Sequence, residues 1–205
     1  MEGAQKKAAA AEAELSSVQS QLDAQKQKVD QLTRDLSNAQ QAKEKAEKAL
    51  QQYLGAATSA FKQFQALRGT LAGPTPDLAV YQQKFSATQP AVTKLVNALP
   101  DAKVRRAIAG VLATCQQIND TCATAAQQMA ARTQTARTNY DKYIEFGGLG
   151  PNRYVIEIGK DKILAPAEKA NAATASARDR QVVTLEKDFD QGLKNLQAFV
   201  NASGA

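Results

Sequence analysis

The chain contains no histidine and no tryptophan, and it has only two cysteines among its 205 residues. Histidine titrates near neutral pH, and it supplies most general bases in enzymes and most metal ligands in proteins. This chain therefore has no histidine-containing catalytic triad and no zinc site that uses imidazole. We predict no catalytic, cofactor-binding or metal-binding residues, and we expect that the protein is not an enzyme. The remaining enzymatic alternative uses carboxylates or lysine alone, and no pair of acidic residues stands out.

Long hydrophobic segments are also missing. No part of the sequence reaches the roughly 18 consecutive apolar residues typical of a membrane-spanning helix. The first apolar stretch, "AAAAEAEL", is interrupted by Glu12 and Glu14, unlike the core of a signal peptide. We expect a soluble chain with no transmembrane segment. Its location is unknown: the cytoplasm is expected if Met1 is the natural start, and the bacterial periplasm or envelope if it is not.

The excess of positive charge is small and dispersed. The chain has 26 lysine and arginine residues against 20 acidic residues, a formal net charge of +6. Residues 1–53 contain eight of each sign, and the later basic residues are scattered or interleaved with acids. Nucleic-acid binding by phosphate neutralisation needs basic residues gathered on one face. The sequence therefore predicts no nucleic-acid partner.

The first fifty residues carry apolar and small side chains at alternating spacings of four and three. Glycine and proline are absent between Gly3 and Gly55. A repeat sustained over this length is typical of a coiled coil, and it predicts one continuous helix of about 75 Å. The repeat positions are Ala4, Ala8, Ala11, Leu15, Val18, Leu22, Gln25, Val29, Leu32, Leu36, Ala39, Lys43, Ala46, Leu50 and Tyr53.

Two polar residues interrupt this repeat. Gln25 occupies a d position of the heptad and Lys43 an a position. Such residues commonly specify register or partner number at a cost in stability. Two arrangements of the helix stay open: a projecting stalk that self-associates, or a helix that lies along the rest of an elongated antiparallel bundle.

The composition changes at Tyr53. All five tyrosines and six phenylalanines lie at or after this residue. Because aromatic side chains supply large buried areas, the core is expected in the later part of the chain. We predict a coiled-coil stalk over residues 1–53, the first part of one long helix that continues to about 72. Residues 54–205 are predicted to form a helical-bundle head.

Prolines and glycines divide the first part of the head. The stretch "LAGPTPD" ends the first helix at Gly73 and begins the next with Thr75 as N-cap. Pro90 and Pro100 each resemble a proline in the first turn of a new helix. We therefore predict two short helices over residues 77–99.

A third long helix is predicted from Pro100 to Phe146, again with spacings of four and three. Both cysteines, Cys115 and Cys122, occupy its apolar positions. Residues seven apart in a helix are separated by about 10.5 Å along the axis, and a disulfide needs Cα atoms within about 7 Å. We predict that both thiols are buried packing groups. Pairing with the same residue of a second chain, and metal or redox chemistry, are the alternatives.

The stretch "GGLGPNRYVIEIGKDKIL" breaks the helical period. Over residues 153–158, β-branched side chains alternate with other residues, as in a strand. Residues 159–161 can form a turn, and residues 162–164 can form a short antiparallel partner strand. This pattern predicts a small β-hairpin near 153–164, between the last two long helices, and Pro166 opens the last helix. The glycines follow a helix and precede a strand, which is the reverse of a phosphate-binding loop.

Three acidic residues close together in the last helix, Glu186, Asp188 and Asp190, suggest a cation site. Only Glu186 and Asp190 share a helix face, because alternate residues of a helix point in different directions. We predict a solvated face of the helix rather than a metal site.

The sequence as a whole predicts an all-α protein: an elongated antiparallel helical bundle with a long N-terminal coiled-coil helix and one small β-hairpin. Its composition, rich in alanine, glutamine and lysine, is similar in a general way to bacterial envelope coiled-coil proteins and to phage or secretion assembly components. We expect a non-enzymatic structural or assembly protein, a scaffold or tether. Its partner is expected to be another protein or a second copy bound through the N-terminal coiled coil, which gives a homo-oligomer.

The alternative function is that of a helical binding module. Aromatic residues and an arginine gather near the predicted hairpin, and such residues are favoured at interfaces with proteins and ligands. The opposing interpretation is that these aromatic residues only cap the core of the bundle. The candidate partner-binding residues are Tyr140, Tyr143, Phe146, Arg153 and Tyr154.

Overall fold

The computed structural model describes residues 2–73, 76–146 and 153–202, and these residues are almost entirely helical. No strand occurs in these ranges, so the prediction of an all-α protein is confirmed. The helices in chain order are α1 (Glu2–Thr70), α2 (Leu78–Ala98), α3 (Ala102–Phe146), α4 (Arg153–Gly159), a π-helical segment (Lys160–Leu164) and α5 (Ala165–Ala202).

The chain divides into two compact units, Met1–Gln52 and Tyr53–Ala205. The first unit consists of the N-terminal part of α1, and the second contains the remaining helices together with the C-terminal part of α1. None of the helices in the described ranges has an apolar stretch long enough to cross a membrane, as the sequence predicts.

Aspartate side chains begin the two middle helices. Asp77 accepts a hydrogen bond from the backbone N–H of Val80 at 3.0 Å, so it is the N-cap of α2. The predicted cap, Thr75, lies outside the described residues. At the start of α3, Asp101 accepts hydrogen bonds from the backbone N–H groups of Lys103 and Val104 at 2.8 and 2.9 Å. Each aspartate satisfies N–H groups that have no partner within the helix.

The predicted break into two helices before Pro100 is wrong, because α2 continues through Pro90. A proline inside a helix costs about 3 kcal/mol, since it removes one hydrogen bond and crowds the preceding turn. Tyr81 and Phe85 before the proline, and Val92 after it, are all buried in the core. Their burial holds both halves of the helix in place and outweighs the local cost.

The core lies in the second unit, where the end of α1 packs with α2, α3 and α5. Phe64 and Phe189 meet edge to face, with ring centroids 6.4 Å apart and planes at 87°. Tyr81 and Phe85 stack with centroids 6.2 Å apart. All four rings are fully buried, and aromatic pairs of this kind stabilise a core beyond the area that they bury.

Both cysteines are buried and free, which confirms that they serve as packing groups. Burial raises the pKa of the Cys115 thiol to about 12, and it also raises the pKa of Cys122. The hydroxyl of Tyr81 donates a hydrogen bond to the backbone carbonyl of Cys115 at 2.9 Å. Thiols with a raised pKa form little thiolate near neutral pH, so burial disfavours reaction of either cysteine.

Helix α3 runs antiparallel to α2 and to α5. Gln89 of α2 donates a hydrogen bond to Gln116 of α3 at 2.8 Å, across a short connection between the two helices. Against α5, Val111 lies beside Gly192 near one end of the pair, and Arg132 contacts Asn171 further along. The residue numbers therefore rise along one helix as they fall along the other.

The predicted β-hairpin near residues 153–164 is wrong. Helix α4, the π-helical segment and α5 follow each other without a break. A two-stranded hairpin is marginal by itself, whereas a helix satisfies its own backbone groups and can pack on α3. Gly159, predicted in the turn, is buried with helical dihedral angles (φ −63°, ψ −42°) against the rings of Tyr140 and Tyr143. Packing on α3 therefore overrides the strand preference of the β-branched residues.

The π-helical segment also explains how Pro166 fits in the first turn of α5, which begins at Ala165. The N–H of Ala165 bonds to the carbonyl of Lys160, five residues earlier, where an α-helix would use residue 161. Pro166 has no N–H to donate, and its ring crowds the carbonyl four residues before it. The wider π-helical turn accommodates the ring, so the helix continues through the proline.

Candidate interaction surfaces

The large apolar side chains of the first unit are exposed. We call them the exposed seam; their exposed fractions are 73% for Leu15, 59% for Val18, 49% for Leu22, 60% for Val29, 59% for Leu32, 60% for Leu36 and 46% for Leu50. Fully burying one leucine or valine side chain contributes about 1.5–3 kcal/mol. A stripe of such residues on one helix face is therefore a strong candidate for contact with another helix.

The polar side chains around the exposed seam make local contacts along the helix. Gln19 and Gln31 donate hydrogen bonds to the aspartates four residues later, at 3.5 and 3.1 Å. Lys43 forms an ion pair with Glu47 at 3.7 Å, also four residues apart. Pairs of this kind stabilise a helix by about 0.2–0.5 kcal/mol each. They support the helix and leave its apolar face free to pack.

The five residues predicted to bind a partner fall into separate environments. Tyr140 and Tyr143 are half-buried, and their rings lie about 3 Å from where a side chain on Gly159 would begin. They therefore form the surface on which the end of α4 packs. This position is what the capping interpretation expects of the two tyrosines.

Two other predicted residues are open to solvent. Phe146, the last residue of α3, is 80% exposed, and Tyr154, near the start of α4, is 74% exposed. Arg153 is the first residue of α4, and its side chain lies outside the described part of the chain. We call Phe146 and Tyr154 the exposed aromatic pair. Their exposure suits contact with a partner. The two side chains contribute little to the core.

A polar network between α3 and α5 was not predicted. Arg132 donates hydrogen bonds to Asn171 at 2.8 Å and to Thr174 at 3.1 Å. The amide of Asn171 in turn donates to Thr133 at 2.9 Å and to the backbone carbonyl of Met129 at 3.4 Å. The network fixes the register of the two helices where few large apolar residues meet. Its signal in the sequence is an arginine at an apolar position of the α3 repeat.

The predicted solvated face of α5 is wrong for Glu186 and Asp190, because both contact Arg68 of α1. The Arg68 Nε atom lies 2.7 Å from Asp190 Oδ1, and its terminal nitrogen lies 3.1 Å from Asp190 Oδ2 and 3.3 Å from Glu186 Oε2. Two parallel hydrogen bonds to one carboxylate are the strongest geometry available to arginine. The arginine side chain is only one-quarter exposed, so this contact ties the end of α1 to α5.

The two carboxylates respond differently to Arg68. The hydrogen bonds from Arg68 lower the pKa of Asp190 below its usual value. Desolvation by burial raises the pKa of Glu186, and the positive charge of Arg68 only partly opposes this. The guanidinium pKa of Arg68 is raised, chiefly by its hydrogen bonds to Asp190. Arg68 and Asp190 therefore form the stronger pair, and the arginine supplies the positive charge that a cation would bring.

Among residues 2–73, 76–146 and 153–202, no group of three or more acidic or cysteine residues lies close enough to hold a metal ion. Comparison of the chain with protein-family models, with curated proteins and with solved structures finds no match to any of them. Among the described residues, the exposed seam and the exposed aromatic pair hold most of the large apolar side chains that lie open to solvent.

Proposed function

We propose that the protein is a non-enzymatic helical assembly protein, a scaffold or tether that joins chains through the N-terminal part of α1. The exposed seam is the observation that carries this proposal. Its residues recur at spacings of four and three, which is the repeat that brings one helix face against another in a coiled coil. Association buries the seven large side chains that this helix leaves in water.

The second unit supplies the body that the coiled coil carries. Its aromatic core, the Arg68 contact and the Arg132 network hold the helices of the second unit together. The composition of the chain supports a role in the bacterial envelope or in a phage or secretion assembly. The proposed work of the protein is mechanical: it holds a folded body in an assembly.

The mass of the protein in solution tests this proposal. We expect the wild type to exceed the 21.9 kDa of one chain, as measured by light scattering. The double variant L22K/L32K is expected to have the mass of a monomer. It places charges at two positions of the exposed seam, and association would have to remove these charges from water.

The matched control is Q27K/Q41K. It adds the same charge at positions opposite the seam, and we expect it to keep the wild-type mass. Circular dichroism is used to check that both double variants keep the helical second unit. A wild type that is monomeric at every concentration, or an L22K/L32K variant with unchanged mass, would contradict the proposal.

A second candidate function is supported by the exposed aromatic pair. A helical binding module would use Phe146 and Tyr154 as anchors for a protein partner or ligand, since large aromatic side chains dominate many interfaces. This function is compatible with assembly through α1, because it uses a different surface.

The variant F146S/Y154S tests the second function. We expect its thermal unfolding to match the wild type, because side chains that are three-quarters exposed contribute little packing. We also expect a photo-reactive residue at position 146 to cross-link to a partner in the native cell, and one at the exposed Lys84 to give no such product. A clear fall in melting temperature, with no cross-link at 146, would support the capping interpretation.

A further inference from the structure

We infer that the partner of the exposed seam is a second copy of this chain, aligned parallel and in register with the first. This inference rests on the proposed function and specifies the partner and its direction. The heptad positions of the exposed residues carry it, together with the placement of Gln25, Lys43 and the charges beside the seam.

The aliphatic layers coincide when two copies lie side by side in the same direction. In a parallel pair each a or d residue faces the same residue of the partner. Of the seven consecutive layers from Leu15 to Leu36, six are then aliphatic on both sides. The exposed seam is therefore complementary to itself. These six layers are Leu15, Val18, Leu22, Val29, Leu32 and Leu36.

Gln25 discriminates between the two directions. In a parallel pair the two Gln25 amides face each other, and each has donors and an acceptor that the other can use. In an antiparallel pair a d residue faces an a residue, and every a residue from Leu15 to Leu36 is leucine or valine. Every antiparallel register that sets Gln25 opposite a residue of this stretch leaves its amide without a partner, at a cost of about 1–3 kcal/mol.

Lys43 sets the number of chains. At an a position it faces the Lys43 of the partner, beyond the aliphatic stretch. In a two-stranded coil its aliphatic stem can lie along the seam while the ammonium group reaches water. Lys43 already pairs with Glu47 of its own helix at 3.7 Å, which offsets the repulsion. A coil of three or more strands encloses the a positions more fully, so Lys43 favours two strands.

The charges beside the seam agree with the parallel direction. A parallel pair brings each g residue next to the e residue five positions later in the partner. Lys7 then faces Glu12 of the second copy, which is an attractive pair. None of the six g–e pairs in the first unit joins two charges of the same sign. The remaining pairs are Glu14–Gln19, Gln21–Lys26, Lys28–Thr33, Asp35–Gln40 and Ala42–Glu47.

Single cysteine variants test the direction. Val18→Cys and Leu32→Cys each place one thiol in a d layer, and the buried native thiols give little background. Under mild oxidation we expect both variants to form covalent dimers on a non-reducing gel. The control Ser20→Cys carries its thiol on the outer face, and we expect it to cross-link at least about tenfold more slowly, because its thiols cannot reach disulfide distance.

An antiparallel pair gives a different result. In such a pair a residue meets its own copy only at the centre, and positions 18 and 32 are separated by about 21 Å along a helix. At most one of the two variants would then form the covalent dimer, which would overturn the parallel direction. The mass of the unmodified protein is also measured, under reducing conditions.

The two measurements separate the inference from the proposed function. A monomer mass for the wild type would overturn both. A dimer mass with one or neither variant cross-linked would overturn the parallel alignment and leave assembly through α1 in place. A trimer or larger mass would overturn the two-stranded pair. A dimer mass with both variants cross-linked, and Ser20→Cys not, is the result that we expect.

Discussion

The variant Phe189→Ala is expected to lose about 3–5 kcal/mol of the free energy of unfolding of the second unit, which is the usual cost of removing a buried phenylalanine ring. Phe189 is fully buried, and its ring meets Phe64 edge to face at 6.4 Å. The ring therefore joins α5 to the end of α1. The residue that follows it, Asp190, holds Arg68 of α1, so a cavity at this position also weakens the neighbouring ion pair.

Denaturant unfolding followed by circular dichroism measures this loss. The measurement is made in the L22K/L32K background, so that association of the first unit does not add to the stability. The matched control is Val183→Ala on the same helix. Val183 is 52% exposed, and we expect its replacement to cost no more than about 0.5 kcal/mol. Equal losses for the two variants would show that Phe189 does not anchor the core.

Gly159→Ala is expected to destabilise the protein by about 1–3 kcal/mol, the usual range for overpacking. Gly159 has helical dihedral angles, and in such a position alanine is normally preferred to glycine by about 1 kcal/mol. Here a Cβ atom would lie 2.9 Å from Cε2 of Tyr140 and 3.0 Å from Cδ1 of Tyr143. Because these contacts are shorter than van der Waals distances, the steric cost exceeds the gain in helix propensity.

Two comparisons isolate the steric cost at Gly159. Gly110→Ala changes a glycine of α3 with no heavy atom within 4 Å of the new Cβ, so we expect this variant to be more stable by up to about 1 kcal/mol. In a Tyr140→Ala background the penalty for Gly159→Ala is expected to shrink, because part of the contact is gone. Thermal and denaturant unfolding measure all four variants. Equal stabilisation by alanine at 159 and at 110 would contradict the close packing of α4 on α3.

The sequence could predict those parts of the candidate sites that depend on residues close together in the chain, and it could not predict those that depend on distant residues. The heptad positions of the exposed seam could be read from the sequence, because residues three and four apart share a face of any helix. The Arg68–Asp190 contact joins residues 122 positions apart, so local spacing could not predict it. The aromatic residues near 140–154 could be proposed together as a site. Only packing against Gly159 separates the half-buried Tyr140 and Tyr143 from the exposed Phe146 and Tyr154.

Periodicity by itself determined the all-α class, the long helices and the burial of both cysteines, since a period near 3.6 residues specifies a helix and its apolar face. Tertiary packing decided the places where local preference and burial disagree. Pro90 stays inside α2 because core residues hold the helix on both sides of it, and residues 153–164 are helical because α3 offers a surface to pack against. Proline and β-branched preferences are worth at most a few kcal/mol, and burial of several side chains exceeds them.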